Sequence, residues 1–217
     1  MTPHMMPPKK GLLISLEGIE GAGKSAQTQT IENYFKNIGM NVVKLREPGG
    51  SKFGEGLRNV ILNSETDISP LAQAHLFASA RAQLLEEIVL PLLKEKENVV
   101  LLDRYVDSSF AYQGVALGLG IKTIQEIHAH PPLNLLPDIT FYLRITVELS
   151  MERQKKRGGG KDFFEKNPKE FYQKLVEGFD LVAKTYPKRV KCIRAENSIE
   201  EVSREIEEYL EKWMKNR

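Results

Sequence analysis

The sequence of 217 residues contains one cysteine, Cys192. A single cysteine cannot form a disulfide within the chain, so the fold must be held by burial of apolar side chains. A chain of this length buries most of the surface that its unfolded form exposes, and it needs no covalent cross-links. The lack of disulfides favours a reducing compartment, and we expect a cytoplasmic location.

A long apolar run is also lacking, since none reaches the roughly 18 residues that a membrane-spanning helix requires. The stretch 84–93 is interrupted by Glu86, Glu87 and Pro91. Residues 1–10 are rich in Met and Pro but have no apolar centre, so they do not resemble a signal peptide, and we expect them to form a disordered tail. The sequence therefore predicts no association with a membrane.

The chain has little net charge of either sign. Its 31 basic and 29 acidic residues leave a net charge of +2. Such a balance produces no general attraction to nucleic acid, and any strong electrostatic field must be local. We therefore expect small-molecule partners and no nucleic acid.

Short apolar runs alternate with longer helical patterns along the chain. The runs lie at residues 12–16, 41–45, 99–102, 139–145 and 190–193. Nearly continuous runs of Val, Ile and Leu are typical of parallel strands buried on both faces of a sheet. The pattern predicts an α/β fold, a doubly wound parallel sheet of five strands flanked by helices, with a small lid after the fourth strand. The sequence has no internal repeat or low-complexity linker, so residues 1–217 are expected to form a single domain.

Capping residues mark several helix starts. Ser69 and Asn167 are N-cap candidates that are each followed by a proline. Ser198 is a third N-cap candidate, and Glu201 follows it three residues later. Each pattern predicts that a helix begins at the next residue. Trp213 continues the apolar stripe of the last predicted helix, so it is expected to be a packing residue.

The clearest functional motif is the segment at residues 18–25, Gly-Ile-Glu-Gly-Ala-Gly-Lys-Ser, which matches the phosphate-binding loop of nucleoside triphosphatases. It follows a predicted strand and opens a predicted helix, and this context makes a chance match less probable. The backbone N–H groups of such a loop turn toward the phosphates of ATP. The expected contacts come from Gly18, Glu20, Gly21, Ala22, Gly23, Lys24 and Ser25.

A magnesium site is expected beside this loop. The Ser25 hydroxyl would bind Mg²⁺, and Lys24 would reach the β and γ phosphates of ATP. Asp103 ends the third apolar run, where the carboxyl ends of parallel strands bind ligands, and it would hold Mg²⁺ through a water molecule. Without the phosphate loop, Asp103 would be interpreted as an ordinary aspartate at a strand end.

A phosphate loop occurs in motors, GTPases and kinases. The guanine-reading motif Asn-Lys-x-Asp is absent from the sequence, and neither length nor charge indicates a motor. Arginines after several strands fit a nucleoside monophosphate kinase, which must hold two anionic nucleotides close together. The alternative from another class is a regulatory or nucleic-acid-binding module, which would bind ATP without acceptor-dependent turnover.

Three further segments resemble those of the thymidylate kinases. Residues 103–114, Asp-Arg-Tyr-Val-Asp-Ser-Ser-Phe-Ala-Tyr-Gln-Gly, resemble the signature segment of that family. Residues 46–50, Arg-Glu-Pro-Gly-Gly, resemble the acceptor-phosphate loop of bacterial members, and residues 77–81, Phe-Ala-Ser-Ala-Arg, resemble the base-stacking helix. The resemblance extends from about residue 12 to the last helix. It implies a homodimer that transfers the γ-phosphoryl group of ATP to dTMP with Mg²⁺.

The resemblance also implies which residues bind the thymine and its sugar. Phe77 would stack on the base, and Arg81 would donate to a thymine carbonyl. Ser109 and Gln113 would contact the polar edge of the base, while Tyr112 would exclude a ribose 2′-hydroxyl. From helical periodicity alone, Phe77 is better interpreted as a core aromatic residue.

The acceptor phosphate and sugar are expected to meet charged side chains. Arg46 and Arg104 would bind the phosphate, since a guanidinium group donates two hydrogen bonds to phosphate oxygens. By resemblance, Arg58 would lie near the acceptor and Glu20 near its 3′-hydroxyl. The alternatives are an exposed helix arginine at Arg58 and a solvent-facing carboxylate at Glu20.

A lid is expected at residues 151–165, which contain a Gly-Gly-Gly sequence among basic residues. By resemblance, Arg153 and Arg157 would close over the donor phosphates, and with Lys24 and Arg104 they form the expected catalytic set. Phosphoryl transfer needs cations near the transferred group. No general base is required, because the acceptor oxygen is already anionic. The alternative is a solvated basic turn.

The sequence departs from the thymidylate kinase pattern at two positions, and it contains a histidine pair that could suggest a metal site. Ala26 and Arg194 replace residues that are usual in the family, and the second leaves the contact with the donor base open. His128 and His130 form a His-x-His pair. Because residues two apart point to different faces of a helix and no third ligand lies near in sequence, a zinc site is not expected.

Overall fold

A computed structural model describes residues 9–156 and 169–217 of the chain. Five parallel strands form one sheet in the order β2-β3-β1-β4-β5. The strands are β1 (Leu12–Glu17), β2 (Asn41–Arg46), β3 (Asn98–Asp103), β4 (Ile139–Arg144) and β5 (Val190–Arg194). The prediction of a doubly wound five-stranded α/β fold is confirmed.

The strands form where apolar runs were predicted because each central strand is covered on both faces. All six residues of β1 are buried, as are the middle four of β3. The edge strand β2 is half exposed and contains Asn41 and Lys44. The fourth predicted run continued to Ile145, but β4 ends at Arg144, and Ile145 is buried beyond it.

Helices connect the strands and cover the sheet. Their bounds are α1 (Lys24–Asn37), α2 (Lys52–Asn63), α3 (Pro70–Leu84), α4 (Leu90–Leu92), α5 (Val106–Ser109), α6 (Ile121–Ile127), α7 (Val147–Lys156), α8 (Lys169–Thr185) and α9 (Ile199–Lys215). Two π-helical segments, Leu85–Val89 and Phe110–Ala116, continue α3 and α5 without a break.

The predicted caps are present where the structure describes them. The Ser69 hydroxyl accepts from the backbone N–H of Ala72, and α3 begins at Pro70. Ser198 and Glu201 form the expected capping box at the start of α9, and Trp213 packs against the core as predicted. The predicted cap at residues 167–168 lies outside the described residues.

The first described residues contact the body of the protein. The Lys9 ammonium group lies 2.5 Å from an Asp138 carboxylate oxygen, and the backbone N–H of Lys10 donates to Leu93 O. The rest of the expected tail, residues 1–8, lies outside the described part of the chain. Within residues 9–156 and 169–217, no helix combines the length and the apolar character needed to cross a membrane.

The order of the strands places the site. β1 lies between β3 and β4, so β2 and β3 lie on one side of it and β4 and β5 on the other. Such a switch point opens a crevice at the carboxyl ends of the strands. Glu17, Arg46 and Asp103 are the last residues of β1, β2 and β3, and the register pairs Arg46 with Asp103.

The contact between α8 and the π-helical segment Phe110–Ala116 yields a stability prediction. A Cβ atom added at Gly178 would lie 2.8 Å from Ala111 Cα and 3.1 Å from Val115 Cβ. Gly178→Ala should therefore lower the free energy of unfolding by ~1–3 kcal/mol. Chemical denaturation at neutral pH measures this loss.

Glu177→Ala is the matched control, since Glu177 precedes Gly178 on α8 and is exposed. The free energy of unfolding of this variant should stay within ~0.5 kcal/mol of the parent value, because surface substitutions away from specific contacts have small effects. Equal stability of Gly178→Ala and the parent would contradict the close helix contact.

Candidate active site

The phosphate loop turns sharply between β1 and α1. Gly18, Gly21 and Gly23 have φ angles of 138°, 79° and 92°, which side chains with a Cβ rarely adopt. A Cβ at Gly18 would also lie 2.6 Å from Leu143 O on β4. The glycines therefore let the loop lie against the sheet while it turns into the N-terminus of α1.

Lys24 lies at the start of α1 and folds back over the loop. Its ammonium group donates to Gly18 O at 3.2 Å. Burial, and then the charge of Arg104, lower the pKa of Lys24, while Asp103 and Glu20 oppose this effect. The side chain faces a cleft of about 760 Å³ whose charged lining includes Lys24, Arg46, Arg58, Arg104, Glu20, Glu47 and Asp103.

Arg104 projects into this cleft from the turn after β3. Its φ angle is 67°, an unusual value for a residue other than glycine. The Arg104 Nη2 group donates to Glu20 Oε1 at 2.6 Å, and Tyr112 OH donates to the same oxygen at 3.1 Å. Burial alone would raise the pKa of Glu20, but the charges of Arg104 and Lys24 hold it below its usual value. Glu20 therefore faces the site and not the solvent.

Glu17 has a buried carboxyl group whose role was not predicted from the sequence. Its Oε1 accepts from the backbone N–H of Tyr105 at 2.8 Å, and its Oε2 accepts from the Ser108 hydroxyl at 2.6 Å. Burial, and then the charge of Asp107, raise the pKa of Glu17 to about 8. These hydrogen bonds fix the turn that carries Arg104. The signal in the sequence was an acidic residue at the end of a mostly apolar strand.

The loop after β2 holds two further cations at the cleft. Arg46 Nη2 lies 3.0 Å from Glu55 Oε2, and both side chains are partly exposed. Arg58 Nη1 donates to Pro48 O at 3.3 Å. Arg58 lines the cleft with Arg46, Lys24 and Arg104, so the structure brings these sequence-predicted cations together.

A second cavity of about 320 Å³ adjoins the cleft and shares Glu47 and Arg104 with it. Its lining comprises Glu47, Pro48, Phe77, Arg81, Arg104, Tyr105, Ser108, Ser109, Tyr112 and Gln113. Phe77 is half buried and is not part of the buried core. Gln113 is held by Gln73, whose Oε1 accepts from Gln113 Nε2 at 3.2 Å. The cavity contains every residue that the resemblance assigned to the thymine base.

Arg81 is almost fully buried at the wall of this cavity. Its Nε and Nη2 atoms lie 2.7 and 2.5 Å from Glu47 Oε2. Its Nη1 atom donates to Ser109 Oγ at 3.0 Å and lies 2.6 Å from His128 Nε2. The carboxylate of Glu47 outweighs the effect of burial and raises the pKa of Arg81, so Arg81 stays cationic.

The donor nucleotide is expected on the far side of the phosphate loop. A cleft of about 850 Å³ is lined by residues of that loop, of α7 and of the segment after β5, among them Ala26, Arg153, Ala195, Asn197 and Ile199. Arg153 Nη1 donates to Gly21 O and to Ala195 O, both at 3.1 Å. Arg153 therefore links the phosphate loop to the segment after β5. Arg157, its expected partner, lies outside the described residues.

The residues expected to bind Mg²⁺ fit that ion chemically. Asp103 Oδ1 is buried and has no hydrogen-bond partner among the described residues. Ser25 is exposed at the second position of α1. A buried carboxylate oxygen without a partner is costly unless a cation or water satisfies it, and hard oxygen ligands suit Mg²⁺.

Comparisons with known proteins agree with this geometry. Residues 16–206 match the family model described as thymidylate kinase. A thymidylate kinase of Thermoanaerobacter sp. is 41% identical over 205 residues, which cover 94% of this chain and 100% of that protein. A thymidylate kinase of Caldanaerobacter subterraneus is 37% identical, and the match covers 95% of this chain and 98% of that protein. A thymidylate kinase of Nitrosospira multiformis is 36% identical, and the match covers 91% of this chain and 96% of that protein. The chain belongs to the thymidylate kinase family.

Proposed function

We propose that this protein transfers the γ-phosphoryl group of ATP to dTMP, giving ADP and dTDP. The observation that carries the proposal is the junction of the cavity lined by Phe77 and Arg81 with the cationic cleft, which share Glu47 and Arg104. A nucleoside monophosphate whose base occupies the cavity would direct its phosphate toward Arg104 and Lys24. Proximity of this kind converts an encounter of two nucleotides into a reaction of one complex.

Recognition of thymine follows from the donors and surfaces of the cavity. Phe77 offers an aromatic face, and Arg81 offers an N–H group to the carbonyl at position 4 of the base. Cytosine has an amino group at that position, so it would place a donor against a donor. Tyr112, which is buried and tied to Glu20, would lie against the sugar and exclude a 2′-hydroxyl.

The reaction needs no general base, because the attacking phosphate oxygen is anionic at neutral pH. The oxygen forms a bond to the γ phosphorus, and the bond from that phosphorus to the β–γ bridging oxygen of ATP breaks, which leaves ADP. Lys24 and Arg104 would stabilise the charge on the transferred group. The family resemblance adds Arg153 and Arg157 from the lid. Arg153 already lies at the phosphate loop.

Asp103 and Ser25 would hold Mg²⁺ in this scheme, and the ion would neutralise charge on the phosphates. The partnerless buried oxygen of Asp103 supports the proposal. Asp103→Asn should weaken the apparent affinity for Mg²⁺ ~10- to 100-fold, because a neutral amide binds a magnesium-bound water more weakly than a carboxylate does. Titration of the rate with Mg²⁺ at saturating ATP measures the effect.

Asp67→Asn is the control for this change, since Asp67 is exposed and away from the cleft. It should leave the Mg²⁺ dependence at the level of the parent. If Asp103→Asn leaves the Mg²⁺ dependence of the rate unchanged, Asp103 does not hold the metal ion.

The test of the function is a coupled assay of ADP release with ATP and Mg²⁺. The acceptors are dTMP, dUMP, UMP, dCMP, AMP and GMP. We expect strong turnover with dTMP and little with the purine nucleotides or dCMP. Turnover with a different monophosphate would keep the kinase chemistry and reject the thymine assignment. ATP binding without turnover of any acceptor, together with salt-sensitive oligonucleotide binding, would favour the regulatory module.

Phe77→Ala tests the base site within the same assay. Loss of aromatic stacking should raise the KM for dTMP ~10- to 100-fold, while the KM for ATP stays constant. His75→Ala on the same helix is the control, because His75 is exposed and does not line the cavity. If Phe77→Ala leaves the KM for dTMP unchanged, Phe77 does not stack on the base and has only a packing role.

We also propose that the enzyme is a homodimer, as the family resemblance implies. Phe53 and Val60 lie seven residues apart on one face of α2, and they are 50% and 53% exposed; Leu71 at the start of α3 is 48% exposed. Helices α2 and α3 contact each other, and exposed apolar side chains on such a pair of helices commonly mark a contact with another protein. A second copy would bury this face symmetrically.

Sedimentation equilibrium should give a mass of twice 24.6 kDa for the parent chain. Val60→Asp should shift the equilibrium toward the monomer, because a charge would be buried in the contact. Ile38→Asp, at a separate exposed apolar residue, should remain dimeric. A monomeric parent at micromolar concentration would reject the proposal.

A further inference from the structure

His128 lies directly after α6 and is 6% exposed. Its Nδ1 atom lies 2.8 Å from Ile124 O, and its Nε2 atom lies 2.6 Å from Arg81 Nη1. A carbonyl oxygen can only accept, so Nδ1 carries the proton of this imidazole. The Nε2 atom of a neutral ring then has a free lone pair, which accepts from Arg81.

The hydrogen bonds of Arg81 leave it little freedom. A guanidinium group has five N–H donors. Glu47 Oε2 receives two of them, one from Nε and one from Nη2, while Ser109 and His128 receive the two from Nη1. The Tyr105 ring lies 5.0 Å from the guanidinium carbon. Within residues 9–156 and 169–217, one N–H of Nη2 is left for a ligand.

His128 is not placed to contact a ligand in the cavity directly. Arg81 lines the cavity beside Phe77, whereas His128 is not part of that lining. The imidazole therefore contacts Arg81 without lining the cavity itself. Removing this acceptor would leave an Nη1 donor buried without a partner, and the guanidinium group could turn to satisfy it.

We propose that His128 is a positioning residue for recognition of the acceptor base: its neutral imidazole accepts from Arg81 and so keeps the remaining Arg81 N–H directed at the base cavity. The proposal rests on the proposed function, in which that N–H donates to a carbonyl of the base. In the His-x-His pair, for which no zinc site was expected, the buried member His128 thus accepts a hydrogen bond from an arginine.

The protonation state of His128 agrees with this role. Burial, and then the charge of Arg81, lower the pKa of His128 to about 4, against the weaker opposing effect of the Ile124 carbonyl. The ring is therefore neutral at neutral pH. A protonated ring would place a second donor and a second positive charge against Arg81.

Two substitutions and a matched control test the proposal. His128→Leu removes the acceptor, and it should raise the KM for dTMP roughly tenfold or more, with a much smaller change in kcat and none in the KM for ATP. It should also lower the preference for dTMP over dCMP. His128→Gln provides an amide oxygen near the position of Nε2, so its KM for dTMP should stay within roughly threefold of the parent value. His130→Leu, at the exposed member of the pair, should match the parent.

The preference for dTMP over dCMP separates positioning from packing. A purely structural histidine would lower the melting temperature in both His128 variants without a change in this preference. A folded His128→Leu variant with parental KM and preference would overturn the proposal. If the parent protein prefers another monophosphate, the thymine assignment fails, and the same variants measured with that acceptor still decide the role of His128.

A measurement on the unmodified protein covers the case in which His128→Leu does not fold. Long-range ¹H–¹⁵N NMR correlations of the imidazole distinguish the two neutral tautomers. We expect the Nδ1–H tautomer for His128 at pH 7. The Nε2–H tautomer would make His128 a donor facing a guanidinium group and would overturn the proposal.

Discussion

The parallel pairing of β1 with β3 is the constraint on which the site depends. It sets Leu16 beside Asp103 and so brings the phosphate loop next to the turn that carries Arg104. The backbone N–H of Arg104 donates to Leu16 O at 2.9 Å, while its left-handed conformation costs on the order of 1–3 kcal/mol. Glu17 offsets part of that cost by binding the N–H of Tyr105. The direction of the Arg104 side chain thus follows from the strand register.

The ion pairs of the site differ in how readily they can be exchanged. Arg46 and Glu55 are about half exposed, and a pair of this kind contributes ~0–1 kcal/mol. Arg46 can therefore leave Glu55 for a phosphate group at little cost. Arg81 and Glu47 are 1% and 4% exposed, and breaking a buried pair costs ~3–5 kcal/mol. Arg46 in the cleft can change partners at little cost, whereas Arg81 at the cavity wall is held in place by its buried partner.

Much of the fold was predictable because its determinants are local. Buried parallel strands need apolar runs, and a helix such as α9 needs a cap such as Ser198, so both appear in the sequence. The cations around the cleft were found through motifs, and the cleft does bring Lys24, Arg46 and Arg104 together. The contact of His128 with Arg81 joins residues 47 apart, and no spacing rule encodes it. The burial of Glu17, likewise, depends on residues contributed by a distant turn.

Glu20 ties the phosphate loop to two other parts of the fold. Its backbone carbonyl accepts from the Ser150 hydroxyl on α7 at 2.6 Å, while its carboxylate binds Arg104 and Tyr112. Energetic coupling between two sites is reciprocal. A ligand that moves Glu20 through α7 and a ligand that moves it through Arg104 would therefore change each other's affinity by the same factor, and the effect of a Glu20 variant would belong to the complex with both ligands.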